Sequence, residues 1–196
     1  MRIVVFMNVT LDGVFQAPAR PDEDVRGGFE HGGWAIPYAD SAMGGFAGES
    51  MGKSGGLLLG RRTYEDFFKV WPNRNDNPYT EVLNNTRKYV ASRTLEAPLP
   101  WQNSTLLKGE AAETVARLRQ RPGKDLVVLG SGQLVQTLMR SGLVDEYVLL
   151  IHPLVMGSGH HLFNEGWSAA LRLVDSRTTT TGVLLATYQP SGEVAA

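Results

Sequence analysis

The stretch DLVVLGSGQLVQTLMRSGLVDEYVLLI, residues 125–151, decides the fold of this chain. Its apolar beginning, residues 125–129, predicts a buried strand, and the Gly-Ser-Gly at 130–132 predicts a tight turn. Residues 133–141 predict a helix that the next glycine ends, and residues 146–151 predict a second strand. A strand, a helix and a strand in this order form a βαβ unit, which requires parallel strands and a right-handed crossover.

The rest of the chain alternates strand and helix patterns in the same way. Strands are predicted over residues 3–9, 56–60, 89–92 and 104–107, and helices over residues 40–53, 63–70 and 110–120. Near the C-terminus, strand patterns at 171–175 and 183–188 flank four threonines and a glycine, which predicts an antiparallel hairpin at the sheet edge. We therefore predict a three-layer α/β/α fold with a mixed, mostly parallel sheet.

Length and composition exclude several classes of protein. The 196 residues favour one domain, predicted over residues 1–190, with a C-terminal tail at 191–196. Cysteine is absent, which excludes thiol nucleophiles and Cys-ligated zinc or iron–sulfur centres. The net charge of −1 does not point to nucleic acid or anionic lipid. The N-terminus lacks a signal-peptide pattern and no segment approaches the ~20 apolar residues of a membrane helix, so we expect a cytoplasmic protein.

A glycine and two arginines stand where the strand at 56–60 passes into a helix. Arg61 and Arg62 follow Gly60 and add full charges to a helix start, whose unpaired amides and partial positive charge favour a phosphate. Thr63 can cap this helix or donate a hydrogen bond to the phosphate. A capped helix with solvated arginines explains the same residues, so both interpretations stay open here.

Two further strand ends carry residues suited to a dinucleotide. The block from Leu129 to Leu134 places small residues at a strand-to-helix turn, where a backbone can approach a pyrophosphate. It departs from the usual fingerprint because Val135 takes the third glycine position and no acidic residue follows about 20 positions later. At a third strand end, Ser92 and Arg93 can bind the extra phosphate that distinguishes NADP from NAD, although an ordinary polar turn also explains them.

Two patterns that suggest other chemistry do not hold. Residues 47–54 nearly match the triphosphate-binding loop G-x-x-x-x-G-K-S, with alanine for the first glycine. That loop needs a buried strand before it and a helix after it, whereas here a helix precedes and a strand follows. The four histidines lack metal-ligand spacing, and the adjacent His160 and His161 would point to opposite sides of a strand, so no metal site is predicted.

Asp12 and Asp40 are the candidates for acid–base chemistry. Asp12 ends the first strand beside a glycine, at the position where open α/β sheets bind ligands, and Asp40 lies at the start of the first helix. A turn-forming role for Asp12 and a helix-capping role for Asp40 are the alternatives. Residues 13–38, rich in glycine and proline, are too long for a simple connection and are therefore either functional or poorly ordered.

Six segments of the chain, in this order, resemble one known family. They are NVTLDG (8–13), LGRRTYE (59–65), KYVAS (88–92), VLGSGQL (128–134), LVDE (143–146) and PLVMGSG (153–159). Together they resemble the dihydrofolate-reductase-like superfamily and, within it, the reductase domain of riboflavin biosynthesis, which in bifunctional proteins accompanies a deaminase domain. The resemblance extends from Arg2 to about Pro190.

The resemblance implies a mixed eight-stranded sheet with NADPH across the strand ends. By position it assigns the cofactor to Gly60, Arg61, Arg62 and Thr63, to Ser92 and Arg93 at the adenosine end, and to Leu129, Gly130, Ser131, Gly132, Gln133 and Leu134 at the pyrophosphate. Trp34, Pro37 and Asp40 are similar to the pterin-site residues of dihydrofolate reductases, with a spacing that differs by one residue. Asp12 matches the Asp-Gly of the riboflavin branch, where it lies near the substrate.

The resemblance therefore predicts an NADPH-dependent reductase of a pyrimidine- or pteridine-like substrate, most like 5-amino-6-(5-phosphoribosylamino)uracil reductase. Asp12 or Asp40 would bind the polar ring or ribityl edge and help to supply a proton, while residues 13–38 would close over the site. The alternatives are a dihydrofolate or xenobiotic reductase of the same fold, and a protein that binds NADPH or a pterin without turnover. We expect a homodimer, the commonest soluble assembly.

Overall fold

A computed structural model describes residues 1–77 and 79–192 of the chain. The strands in these residues, numbered β1 to β8, span Ile3–Thr10, Gly56–Gly60, Lys88–Ser92, Ser104–Lys108, Leu126–Leu129, Glu146–His152, Ala170–Thr178 and Leu184–Gly192. The helices, numbered α1 to α5, span Ser41–Lys53, Arg61–Val70, Tyr79–Asn85, Ala111–Arg119 and Gly132–Arg140. Two residues of the predicted tail, 191 and 192, end β8, and the rest of that tail lies outside the described residues.

The chain divides into two compact units. The central unit contains residues 1–3 and 53–143, and the terminal unit contains residues 4–52 together with the described residues from 144 onward. Because the terminal unit is formed by both ends of the chain, its contacts join residues that are distant in sequence. The single domain predicted over residues 1–190 stays a prediction.

The central unit has four parallel strands in the order β4-β3-β2-β5. Its inner strands are buried because they are short apolar runs, such as Leu57, Leu58 and Leu59 in β2. The connection from β2 to β3 runs across the strands toward β4, and the connection from β4 to β5 runs back in the opposite direction. Right-handed crossovers therefore place α2 and α4 on opposite faces of these strands, and α5 packs beside α4. This is the predicted three-layer arrangement.

The terminal unit pairs β1 with β6 in parallel, and β6 with β8 and β8 with β7 in antiparallel. β1 has the largely apolar sequence IVVFMNVT, and seven of its eight residues are therefore buried, the exception being the partly exposed Asn8. β7 is largely exposed, and its pairing with β8 shifts register between Leu173 and Asp175. The predicted fold class, mostly parallel with an antiparallel C-terminal hairpin, is confirmed.

Helix α1 lies in the terminal unit and buries Phe46, whose ring packs near that of Phe6 with a centroid distance of 6.4 Å. Residues 47–53 of the near match to a triphosphate-binding loop lie inside this helix, and β2 follows it. The order of elements is therefore the reverse of the one that such a loop requires, as the sequence predicts.

Helix α3 is the one element among the described residues that the sequence analysis does not predict. Its sequence, YTEVLNN, has little apolar periodicity and seven residues are too few to be stable alone. The buried Lys88 holds its C-terminal end, because its ammonium group donates to the carbonyls of Leu83 at 2.7 Å and Asn84 at 3.2 Å. The same group lies 4.4 Å from the centroid of the Trp101 ring. The indole N–H of Trp101 also donates to Oδ1 of Asn84 at 2.7 Å, so contacts from outside the helix stabilise it.

Residues 13–38 are ordered by packing rather than by regular structure, with short 3₁₀ turns only at Arg26–Gly28 and Ile36–Tyr38. The amide of the buried Gln16 donates to the carbonyls of Asp24 at 3.0 Å and Arg26 at 2.9 Å. The indole N–H of Trp34 donates to the carbonyl of Gln16 at 2.7 Å. A closing movement of this stretch would have to break these buried contacts, so the predicted closure stays a prediction.

Two features are absent from the described residues, namely a membrane-crossing helix and a metal-binding cluster. None of the helices there is both long and apolar enough to cross a membrane. Within residues 1–77 and 79–192, no group of three or more His, Cys, Asp or Glu side chains is arranged to hold a metal ion.

Candidate functional site

The central unit brings two helix N-termini to one edge of its strands. Helix α2 begins directly after β2, and α5 begins directly after the turn that follows β5. Since β2 and β5 are neighbouring parallel strands, their carboxyl ends lie side by side. The residues before the two helices, Gly60 and Ser131, provide no side-chain cap to them. The first-turn amides of both helices therefore remain available to an anion.

Two hydrogen bonds connect these helix starts. The Ser131 hydroxyl accepts from the N–H of Gly60 at 3.0 Å, and the Thr63 hydroxyl accepts from the N–H of Ser131 at 3.1 Å. Ser131 and Gly130 both have positive φ angles, of +56° and +62°. A Cβ added to Gly130 would lie 3.2 Å from the methyl group of Thr63, so this turn packs closely against α2. The capping role considered for Thr63 is wrong, because Gly60 is the N-cap and Thr63 lies within α2.

The cationic side chains of this edge are exposed. Arg61 lies 3.7 Å from Glu65 one turn along α2, a surface pair of small energetic value. Arg62 donates to the side-chain oxygen of Gln133 at 3.0 Å, which joins the first turns of α2 and α5 a second time. Both guanidinium groups can turn toward an anion at the helix starts because little holds them elsewhere.

The third predicted cofactor segment has a defined local structure. The Ser92 hydroxyl at the end of β3 accepts from the N–H groups of Thr94 at 3.1 Å and Leu95 at 3.0 Å. Ser92 is therefore a turn-forming residue, as the simpler interpretation has it. Arg93 is exposed and pairs with the exposed Glu110 at 3.2 Å, an ion pair that a phosphate can displace.

The predicted block from Leu129 to Leu134 does not have one role throughout. Leu134 and Gly132 are buried. Leu134 packs beside Gly60, since a Cβ added to Gly60 would lie 3.7 Å from the Cβ of Leu134. Gln133 is exposed. Leu134 is thus a core residue beside the first turn, and its assignment to the cofactor stays a prediction.

In the terminal unit, Asp12 is enclosed by hydrogen-bond donors. It accepts from the hydroxyl of Thr10, from the N–H of Met156 at 3.1 Å and from the N–H of Gly157 at 2.8 Å. Burial raises the pKa of the Asp12 carboxyl, but these donors outweigh burial and hold the pKa at about 2. Asp12 is thus a carboxylate at neutral pH, where it accepts hydrogen bonds and has no proton to donate.

Asp40 is held in a similar way at the start of α1. Its carboxylate accepts from the N–H of Ala42 at 2.6 Å, and from both the N–H (3.0 Å) and the hydroxyl of Thr180 in the turn between β7 and β8. The hydroxyl of Thr180, followed by the amide of Ala42, lowers the pKa of this carboxyl. The helix-capping alternative is thus part of the role of Asp40, and sequence gives no sign of its partner Thr180, 140 positions away.

A polar pair that the sequence analysis misses lies beside the predicted substrate residues. His152, at the end of β6, is fully buried, and its Nε2 lies 2.9 Å from Oδ1 of Asn8 in β1. The buried ring of Trp34 meets the imidazole edge-to-face with a centroid distance of 5.1 Å. Pro37, in contrast, is exposed. Burial lowers the pKa of His152 to about 4. The signal in the sequence is Asn8 within one apolar run and His152 directly after another.

Comparison with known proteins agrees with this architecture. The family model of the RibD C-terminal domain matches residues 2–185. YyaP of Bacillus subtilis, an uncharacterized protein, is 30% identical over 200 residues, which cover 97% of this chain and 96% of YyaP. The chain therefore belongs to the RibD C-terminal domain family.

Solved structures show the same fold at lower sequence identity. A putative riboflavin biosynthesis protein from Shewanella sp. PV-4 has a TM-score of 0.69 and 22% identity, with 97% of this chain and 99% of that chain covered. Dihydrofolate reductase from Enterococcus faecalis, complexed with NADP(H) and RAB-propyl, has a TM-score of 0.62 and 14% identity, with 96% of both chains covered. The fold is thus that of dihydrofolate-reductase-like proteins, as the sequence motifs imply.

Proposed function

We propose that this chain is an NADPH-dependent reductase of a pyrimidine- or pteridine-like substrate, most like 5-amino-6-(5-phosphoribosylamino)uracil reductase. Membership of the RibD C-terminal domain family supports the class of reaction. The observation that carries the proposal is the pair of uncapped helix starts that Ser131 and Thr63 join in the central unit.

The residues of the central unit fit a dinucleotide. In the proposal, the first-turn amides of α2 and α5 hold the pyrophosphate, with the backbone of Gly130 and Gly132 allowing its close approach. Arg62 and Arg93, both exposed, bind the extra phosphate of NADPH. The relative from Enterococcus faecalis, whose structure includes NADP(H), gives independent support for this class of cofactor.

The chain contributes binding and electrostatics to the proposed reaction. The cofactor, when bound, supplies a hydride to an electron-poor carbon. Asp12 and Asp40 act as acceptors, because hydrogen-bond donors keep both carboxyls ionised at neutral pH. Oδ1 of Asp40 accepts one hydrogen bond, from Ala42, and so retains capacity for a polar group of the substrate. In the proposal the proton therefore comes from water, and the aspartates help to supply it only by accepting hydrogen bonds that orient the substrate or that water.

Fluorescence titration with NADPH and NADH tests the proposal, followed by turnover with aminopyrimidine ribityl precursors and with dihydrofolate. We expect NADPH to bind at least tenfold more tightly than NADH and to be oxidised with a precursor of the first kind. Failure to bind NADPH at millimolar concentration contradicts the whole proposal. Oxidation with dihydrofolate or a xenobiotic carbonyl alone would instead identify the alternative reductase, and binding without any turnover would identify a non-catalytic binder.

A cytoplasmic homodimer is part of the same proposal. Two-fold dimers are the commonest assembly of soluble enzymes, which supports this expectation. Light scattering coupled to size-exclusion chromatography measures the mass directly, and we expect about twice the 21.4 kDa of one chain. A single-chain mass at micromolar concentration contradicts the dimer.

A further inference from the structure

The polar pair of Asn8 and His152 is unusual for its position. Asn8 lies within the largely apolar β1 and His152 ends β6, and in the parallel register of these strands the two are offset by two positions, since His152 lies opposite Thr10 and Asn8 opposite Leu150. The Nε2-to-Oδ1 distance of 2.9 Å shows a hydrogen bond between their side chains. Burying the His152 imidazole is costly unless its polar atoms are satisfied, so its presence requires a reason.

The other nitrogen of His152 determines which way this hydrogen bond runs. Among the described residues, Nδ1 is buried and has no hydrogen-bond partner. If Asn8 donated to Nε2, the neutral ring would carry its proton on Nδ1 as a buried N–H without an acceptor. Such orphaned donors are rarer in proteins than orphaned acceptors. His152 therefore donates through Nε2–H, and Oδ1 of Asn8 accepts.

This direction determines what Asn8 presents. With Oδ1 engaged, its NH₂ group carries two N–H donors, and within residues 1–77 and 79–192 neither has a protein acceptor. The side chain of Asn8 is partly exposed, whereas the neighbouring residues of β1 are buried. The amide is thus a pair of donors with a fixed orientation and access to a ligand.

Two aromatic side chains pack against the imidazole of this pair and are themselves held in place. The ring of Tyr38 meets the His152 imidazole edge-to-face with a centroid distance of 5.5 Å, and the ring of Trp34 does so at 5.1 Å. The hydroxyl of Thr181 donates to the carbonyl of Tyr38 at 2.9 Å, and Gln16 accepts from the Trp34 indole. Of these two rings Tyr38 is partly exposed, and an aromatic ring near oriented donors suits a flat ring that carries a carbonyl oxygen.

We propose that Asn8 is a substrate-binding residue that donates a hydrogen bond to a ring carbonyl, and that His152 is the positioning residue that fixes its amide. This inference rests on the proposed reductase function and specifies its substrate as a ring with an acceptor edge, such as a pyrimidinedione. A site built to donate to a carbonyl discriminates strongly against a ring that bears an amino group there, because two donors then face each other.

Binding of a matched pair of rings tests this inference. The probes are 5,6-diaminouracil, with two ring carbonyls, and 2,4,5,6-tetraaminopyrimidine, in which amino groups replace them; calorimetry measures both dissociation constants. We expect the wild-type chain to prefer the diaminouracil by at least tenfold. In Asn8→Asp, a carboxylate acceptor replaces the donors and the preference reverses. In Asn8→Ala, which removes both, the two probes bind about equally.

Variants of His152 separate positioning from folding. His152→Gln retains an N–H donor and should preserve the preference for the diaminouracil, whereas His152→Phe should lose it. The NADPH dissociation constant, determined by the central unit, should stay within twofold in all four variants and serves as the control for folding. Nitrogen NMR should show His152 as the Nε2-protonated neutral tautomer; the Nδ1-protonated tautomer contradicts the proposed direction of the hydrogen bond.

The inference is overturned if the wild-type chain shows no preference between the probes, or if Asn8→Asp retains the wild-type preference. Loss of NADPH binding by the wild-type chain would be a different result. It would contradict the proposed reductase while leaving the ring preference measurable, so failure of one proposal is distinguishable from failure of the other.

Discussion

The hydroxyl of Thr63 accepts a hydrogen bond from the backbone N–H of Ser131 at 3.1 Å, although the two residues are 68 positions apart. Thr63 belongs to the first turn of α2, and Ser131 precedes α5 in the left-handed conformation, with φ +56°. Together with the hydrogen bond from the N–H of Gly60 to the Ser131 hydroxyl, this contact connects two strand-to-helix turns.

Thr63→Val removes this acceptor while retaining nearly the same shape. The N–H of Ser131 then loses its partner in a partly buried position, which we expect to destabilise the chain by about 1–2 kcal/mol. We also expect the NADPH dissociation constant to rise by about tenfold, since the two turns lose their common geometry. Thr137→Val is the matched control, because its hydroxyl donates only to the carbonyl of Gln133 within α5. Equal effects in the two variants would show that the contact with Ser131 has no special role.

Arg62→Ala and Arg93→Ala test the proposed site for the extra phosphate. Each should weaken NADPH binding by about tenfold, the effect of one charge-assisted contact, and leave NADH binding within about twofold. Fluorescence titration with both nucleotides gives the ratio. Arg117→Ala, at an exposed arginine of α4 paired with Glu113, is the control and should change neither. An equal loss of NADPH and NADH affinity would refute this assignment of the arginines.

Asp12→Asn should change the acid stability of the chain. The folded-state pKa of about 2 lies below the ordinary value of 3.8, so the carboxylate contributes stability above pH 3.8, and this contribution is lost as the pH falls toward 2. After allowance for partial exposure, we expect the free energy of unfolding of the wild type to be about 1–2 kcal/mol higher than that of the variant at pH 6. This difference should shrink as the pH falls toward 2.

Urea denaturation at several pH values between 2 and 6 measures this difference. Asp22→Asn, at a largely exposed side chain, is the control and should show little difference at any pH. A gap between wild type and Asp12→Asn that stays constant over the whole range would mean that the carboxylate charge contributes nothing.

Gly159→Ala should be strongly destabilising. Gly159 has φ +107°, and an added Cβ would lie 2.8 Å from the ring of Phe29 and 2.9 Å from Val14. These residues belong to the core cluster that holds residues 13–38, so we expect a loss of about 3 kcal/mol or more. Gly157→Ala is the matched control: φ is +69° but no atom lies within 4 Å of the added carbon, and the cost should be about 1 kcal/mol. Thermal unfolding of both variants provides the comparison, and similar losses would contradict a packing role for Gly159.

Much of the fold follows from local patterns. The strand, helix and strand predicted within residues 125–151 are all present, and strand and helix ends elsewhere differ by a few residues, as between the predicted helix at 63–70 and the observed Arg61–Val70. That shift matters because it places Arg61 and Arg62 in the first turn. Helix α3 escapes prediction because the buried Lys88 stabilises it from outside, and no periodicity records such a contact.

The sequence alone predicts which residues approach a phosphate, because glycines at strand ends and adjacent arginines have conformational and electrostatic properties that depend on residue type. The hydrogen-bond partners of the polar residues, in contrast, depend on tertiary contacts that the sequence does not reveal. The state of Asp12 depends on the amides of Met156 and Gly157, that of Asp40 on Thr180, and the direction of the Asn8 amide on His152. These partners lie more than 130 positions away, and a hydrogen bond acts over 3 Å of space regardless of separation along the chain.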